Sequence, residues 1–202
     1  MHKMKKIILA TVAMMCLCGT SMAQRHVEFR WRGIYFVGDA AYAMNLNTGV
    51  KDNGFADTVA AFMPSISAGF QFRKEASVGA GFSYLADPSG AFTQLPIFAE
   101  LRSHFTRSRF TPYTVLQLGY SLPVGASNKD SGTKIEEGGL YLGVEVGGRY
   151  AFTRSVGLGV HAGYRLITDN KVNRIFSDGT GFTEAVTLHM VVAGLSFYFG
   201  NE

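Results

Sequence analysis

Cysteine is confined to Cys16 and Cys18 of the 202-residue chain, so nothing beyond them can form a disulfide framework. After residue 23, no run approaches the ~18 consecutive apolar residues of a spanning helix. Charge is also scarce: Asp, Glu, Lys and Arg make up 17% of the chain, against roughly 25% in an average soluble protein. Basic residues alternate with acidic ones and form no cluster, which argues against a nucleic-acid partner. Disorder is excluded by a hydrophobic content of 47%. What the chain has in excess is glycine, 24 residues, and aromatic side chains, 13%. A low-charge, glycine-rich and aromatic-rich chain without a spanning helix has the composition of a transmembrane β-barrel. Its length suits one domain.

Residues 1–23 read as a secretory signal. Lys3, Lys5 and Lys6 supply a positive start, Ile7 to Cys18 an apolar core, and Ser21-Met22-Ala23 the small residues of a cleavage site before Gln24. The core is too short to span a bilayer. Neither cysteine follows the small residue that lipidation needs, since Met15 precedes Cys16 and Leu17 precedes Cys18. Residues 24–202 are then the barrel domain. Without the three lysines its balance is 16 basic to 15 acidic residues.

The remaining chain alternates with period two in stretches of about ten residues, the length that crosses a bilayer at a ~45° tilt. The pattern predicts eight strands, at approximately Gly33–Asn45, Ala60–Phe72, Ser77–Ala86, Gln94–Phe105, Thr111–Leu122, Gly139–Phe152, Ser155–Ile167 and Ala185–Phe199. The connections alternate too. Short turns fall at Arg73-Lys74-Glu75-Ala76, at Thr106 to Phe110 and at Thr153-Arg154. Longer polar stretches carry Asn47-Thr48-Gly49, Asp87-Pro88-Ser89-Gly90, Ser127-Asn128-Lys129-Asp130 and Thr168-Asp169-Asn170. Loop length segregated by side is the order of an outer-membrane barrel, with short periplasmic turns and long extracellular loops.

The two faces of each strand differ. Leu140, Leu142, Val144 and Val146 oppose Tyr141, Gly143, Glu145, Gly147 and Arg149; Leu95, Ile97, Ala99 and Leu101 oppose Phe98, Glu100, Arg102 and His104. The set combining glycines with charges fits a narrow polar lumen, and the aliphatic set fits lipid. The last strand is ambiguous, because Leu188 to Leu195 is apolar on both faces except at His189. Unpaired backbone groups in hydrocarbon cost several kcal/mol each, so the sheet must close. An eight-stranded interior is just wide enough to be filled by side chains. Aromatic residues gather in two belts, one at Phe70, Phe72, Phe105, Phe110, Tyr150, Phe152, Phe197 and Phe199, the other at Tyr42, Phe62, Tyr84, Tyr120 and Tyr164. Such belts are expected at the two membrane interfaces.

Four stretches carry a resemblance to the OmpA/OmpX-like outer-membrane β-barrels of Gram-negative bacteria, above all those of the Bacteroidetes. They are Gly33 to Asn45, Gly79 to Tyr84, Pro96 to Arg102, and the terminal Gly194-Leu195-Ser196-Phe197-Tyr198-Phe199. The resemblance implies a cell outer membrane location, contact with its lipid and lipopolysaccharide, and sorting by the barrel-assembly machinery through Gly194, Phe197 and Phe199. The chain departs from the sorting pattern at Val192, where a polar residue is usual, and at Gly200-Asn201-Glu202, which trails the last aromatic.

The inward charges are Asp39, Glu100, Arg102, Glu145, Arg149 and Arg165, with His104 and His161. Three arginines against three carboxylates make the pattern of a self-neutralising structural network. A gate or a catalytic cluster is the alternative use of the same residues. The lipid A deacylases carry a His-x-Ser element near the C-terminus, but Met190 and Val191 follow His189 here. No histidine spacing suits a metal, and no cofactor is implied. The expected function is therefore that of a non-enzymatic outer-membrane barrel with a plugged polar lumen and no wide pore. It would stabilise the membrane or meet an extracellular ligand through its loops. A lipid-modifying enzyme and a narrow porin-like channel are the alternatives.

Overall fold

The computed structural model describes residues 33–46, 60–73, 75–86, 93–106, 108–124, 127–128, 133–153, 155–175 and 181–200. The signal segment assigned to residues 1–23 lies outside them. Eight long antiparallel strands build the wall: β1 Gly33–Asn45, β2 Ala60–Gln71, β3 Ala76–Ser83, β4 Thr93–His104, β5 Phe110–Pro123, β6 Gly139–Ala151, β7 Val156–Ile175 and β8 Gly181–Gly200. Each pairs with its sequence neighbour, and β1 pairs with β8 from Tyr35↔Gly200 to Asn45↔Met190. The sheet is a closed barrel. Closure gives each ladder a partner on both sides and removes the edges that an open sheet would expose. β3 is interrupted at Tyr84, whose N–H donates to the carbonyl of Pro64, and resumes at Leu85–Ala86.

The three tight connections follow β2, β4 and β6, where the sequence predicted short turns. The turn after β2 is closed by reciprocal Arg73 and Ala76 backbone bonds, and the turn after β6 by Phe152 and Thr153 donating to Val156. Both ends of the barrel chain lie at this same short-turn end, since Gly33 pairs with Gln71 and Gly200 N–H donates to Ser155.

The opposite end differs from expectation. β7 runs on to Ile175 and β8 begins at Gly181, so much of the polar stretch from Thr168 is paired hairpin rather than loop. A register shift between Ile167 and Asn170 marks where this hairpin leaves the wall. The connection after β5 contains two short strands, Ser127–Asn128 and Thr133–Glu137, and the second pairs with the β7 extension. Polar composition hid these segments, because side-chain alternation signals a strand only where one face is buried.

On the strands whose two faces the sequence told apart, the aliphatic set lies outside and the set with glycines and charges inside. Ile66, Phe82, Ile97, Tyr120 and Leu140 stand opposite one another on successive strands and are all exposed. Their sequence neighbours Ser65, Ser67, Ser83, Phe98, Ser121 and Tyr141 are buried inside. Among the described outward positions of the wall there is no Asp, Glu, Lys or Arg. Both aromatic belts face outward: Phe70, Phe105, Phe110, Phe152, Phe197 and Phe199 at the short-turn end, and Tyr42, Phe62, Tyr84 and Tyr120 at the other. The ambiguity of β8 is resolved by packing. Leu188, Met190 and Val192 point inward and Val191 and Leu195 outward.

Candidate functional site

The barrel has one interior, and it is layered. Toward the long-connection end Met63, Leu85, Phe98, Tyr141, Ile167, Leu188, Met190 and Val192 form an apolar cluster, with Phe98 and Tyr141 stacked at 5.6 Å. The polar lumen expected from the sequence therefore occupies only part of the interior. β8 supplies Leu188, Met190 and Val192 in succession to this layer, which is why its sequence is apolar on both faces. Below it the interior becomes polar, and the charges that alternation placed inside are found there.

Glu100 and Arg102 project from the same face of β4. Nη2 of Arg102 donates to both carboxylate oxygens at 3.3 and 3.2 Å. Tyr35 OH and Ser67 Oγ donate to Oε1 of Glu100 at 2.9 and 3.3 Å. Nη1 of Arg102 donates to Tyr198 OH at 2.5 Å, and its guanidinium lies over the rings of Tyr113 and Tyr198 at 5.4 and 5.2 Å. Glu100 is thus enclosed by donors and Arg102 by oxygens and π faces, the arrangement that makes a buried ion pair tolerable.

A second pair sits higher. Arg165, 1% exposed, donates through Nε and Nη2 to Oε1 of Glu145 at 3.1 and 2.5 Å, and its Nη1 meets Met63 Sδ at 2.8 Å. Tyr141 OH donates to Gln117 Oε1 at 2.8 Å nearby.

Asp39 lies beside a serine and a histidine, and Arg149 lies over a tyrosine. Asp39 accepts from Ser65 Oγ at 3.1 Å and lies 3.9 Å from His161 Nδ1, which also contacts Ser196 Oγ at 2.9 Å. Arg149 lies over the Tyr198 ring at 5.4 Å. The network thus contains two Arg–carboxylate pairs, an Asp–His–Ser group, and the Arg149 guanidinium over a tyrosine that Arg102 also uses.

Sequence reasoning missed all but one of the inward tyrosines. Tyr35, Tyr113 and Tyr198 are buried in the lumen beside Tyr141, although of the tyrosines only Tyr141 had been placed on an inward face. Their phase was readable: Tyr198 alternates with Phe197 and Phe199, and Tyr113 shares the face of Gln117. Glycine makes room for them. A Cβ on Gly147 would lie 2.5 Å from Tyr113 Cζ, and one on Gly79 would lie 2.8 Å from Tyr35 OH. Of the C-terminal residues, Phe197 and Phe199 face outward, and Gly194 packs where a Cβ would meet Ala40 and Ala41 of β1. On the outer surface Tyr164 OH is hydrogen-bonded to His189 Nδ1.

A closed eight-stranded wall, apolar without and polar within, has the architecture of outer-membrane barrels. Solved structures agree. Neisserial surface protein A is similar over 84% of this chain and 97% of its own, with a TM-score of 0.59 and 22% identity. The outer membrane protein OprG from Pseudomonas aeruginosa is similar over 87% of this chain and 100% of its own, with a TM-score of 0.56 and 16% identity. At these identities the likeness is one of fold. No protein-family model matches the chain, and no curated protein matches it in sequence.

Proposed function

We propose that the chain is a non-enzymatic outer-membrane protein of OmpA/OmpX-like kind, exported on residues 1–23 and seated in lipid by its apolar exterior. The observation that carries this reading is the outer face of the wall, on which described positions hold no acid, lysine or arginine while Glu100, Arg102, Glu145 and Arg165 are all turned inward. Such a surface is far larger than the few hundred Å² of contiguous apolar patch that soluble monomers expose. The fold shared with two outer-membrane proteins supports the same location. Its partners are then membrane lipid and lipopolysaccharide, and the barrel-assembly machinery reading Gly194, Phe197 and Phe199. An extracellular ligand would meet the long-connection end.

The lumen network serves as structure rather than as a gate. Each inward carboxylate already accepts hydrogen bonds from the wall, and the apolar layer above it breaks any continuous polar path. Cell fractionation with heat-modifiable gel mobility tests the location: the protein should sit in the outer-membrane fraction and migrate anomalously until boiled. Recovery as a freely soluble protein would overturn the reading. In planar bilayers it should carry no steady porin-sized current, and such a current would remove the plug.

A lipid-modifying role has one observation in its favour, the Tyr164–His189 pair on the outer face. Mass spectrometry of lipid A from cells with and without the protein separates the two readings. Identical lipid A supports the non-enzymatic one.

A further inference from the structure

The three tight turns collect charge of one sign at one end of the barrel. In sequence they hold Arg73, Lys74, Arg107, Arg109 and Arg154 against a single acid, Glu75. One carboxylate cannot neutralise five cations, whichever of them it meets. The inward charges balance in sign, and the four longer connections at the opposite end carry more acids than bases. Among the barrel's connections the positive excess therefore lies at the short-turn end.

Topology spreads these cations around the rim. The turns belong to the β2–β3, β4–β5 and β6–β7 hairpins, and the remaining sector is where β8 meets β1. Of the turn cations on described backbone, Arg73 and Arg109 are both exposed. Arg73 exchanges backbone bonds with Ala76, and the Arg109 carbonyl accepts from Ala151 N–H at 2.8 Å. Thr106 Oγ1 and Ser108 Oγ both donate to the Phe110 carbonyl and fix the middle turn. Each turn also adjoins an outward aromatic side chain: Phe72 precedes Arg73, Phe110 follows Arg109, and Phe152 stands two residues before Arg154. Such rings mark the membrane interface. One or two residues farther along the chain is about 3–7 Å, within a headgroup layer of ~5–8 Å.

We propose that the short-turn rim is a docking surface for anionic phospholipid, whose headgroup phosphates accept from Arg73 and Arg109 and are drawn by the net charge of the turns. The inference rests on the lipid-seated reading above and adds to it a lipid class and a side. The aromatic belt favours lipid over an anionic polymer: a polymer beyond the rim gains nothing from cations set beside rings that face acyl chains. A basic residue next to an anionic leaflet strengthens association about fivefold.

The full barrel is reconstituted in phosphatidylcholine vesicles doped with spin-labelled phosphatidylglycerol or spin-labelled phosphatidylcholine. Electron paramagnetic resonance then gives the fraction of each lipid held at the protein surface. Phosphatidylglycerol should associate more strongly, by up to about fivefold at low salt. The advantage should vanish near 1 M sodium chloride, where the Debye length is about 3 Å. Arg73→Gln with Arg109→Gln should lose much of it, and Lys171→Gln, on β7 at the opposite end, should keep it. Equal association of the two lipids with the wild type overturns the proposal. So does an advantage that ignores salt, that the double variant keeps in full, or that Lys171→Gln loses equally. Co-sedimentation with purified peptidoglycan that depends on Arg73 and Arg109, without any lipid preference, would overturn it in favour of a polymer. The wild-type comparison at low and high salt needs no variant, and so decides even if the double variant fails to fold. A wild type that holds neither lipid at its surface defeats the lipid-seated reading itself; one that holds both equally defeats this inference alone.

Discussion

Leu116→Arg tests most directly which side of the wall meets lipid. Leu116 stands near the middle of β5, outward-facing and 47% exposed, between Leu101 on β4 and Val144 on β6. If that face were wetted by water, the substitution would change stability by no more than about 0.5 kcal/mol, as surface changes usually do. In a bilayer the outcome is different. From Leu116 to Tyr120 in the aromatic belt is four residues, about 13 Å along the strand and about 10 Å along the normal at a ~40° tilt. That is farther than an arginine side chain reaches. No described outward position of the wall offers an acid to pair with it. The charge stays near mid-membrane, where arginine on a barrel costs about 2–4 kcal/mol. That is roughly a 30- to 700-fold fall in the folding equilibrium. Leu122→Arg, at the belt edge, should cost about 0–1 kcal/mol. The assay is urea unfolding of each variant from phosphatidylcholine vesicles, followed by far-UV circular dichroism. A profile that is flat and near zero across Leu116, Leu122 and the wild type would refute the lipid-facing assignment.

Inside the wall, Glu145→Gln should destabilise by about 3–5 kcal/mol, because it leaves the Arg165 guanidinium buried without its carboxylate. Adding Arg165→Met should recover much of that loss, and a double-mutant cycle read by the same unfolding assay checks it; strictly additive effects would mean the pair is not coupled. Two glycines should respond in opposite directions to alanine. Gly38→Ala meets nothing within 4 Å and should stabilise by about 0.4–1 kcal/mol. Gly147→Ala would press on Tyr113 and the Val160 carbonyl and should cost about 1–3 kcal/mol.

How much of this was legible in the sequence follows from what each feature depends on. The wall was legible because its signal is local: Leu140-Tyr141-Leu142-Gly143-Val144-Glu145 needs only period two to sort its residues into faces. The phase also placed Glu100, Arg102, Glu145, Arg149 and Arg165 inside. Which carboxylate each arginine meets was not legible, because it depends on the stagger between strands. Arg165 reaches Glu145 across the β6–β7 ladder, where Arg165 and Gly143 are opposite and Glu145 faces Gly163. Gly163 has no side chain to stand between them, and a Cβ there would lie 2.7 Å from Glu145 Cγ. The extended β7–β8 hairpin was illegible for the converse reason: the sequence from Thr168 to Asp178 is rich in Asp, Asn, Lys and Arg, and Asp, Asn and Lys are depleted in strands, so no period of two stands out there.

The layered interior bears on the proposal that the lumen charges are structural and form no channel. An ion crossing an eight-stranded barrel needs a continuous set of polar partners, since unsolvated charge is costly at any depth. Glu100, Arg102, Glu145 and Arg165 supply such partners for part of the path only, and they spend their capacity on one another. Phe98 lies two residues beyond Glu100 on the same inward face of β4, and Ile167 two beyond Arg165 on β7. On both strands the next inward residue after the charges is therefore hydrophobic, although Gln94 and Ser121 are buried and bonded to each other farther along. The charges and the apolar layer act together: the pairs fix the register of strands that the greasy layer alone would hold only loosely, and the layer keeps those pairs from becoming a path. Weakening the pairs by Glu145→Gln should then lower stability without opening conductance. Removing Phe98 and Met190 together should be required before ions pass, and a steady current from Glu145→Gln alone would show that the pairs, not the apolar layer, form the seal.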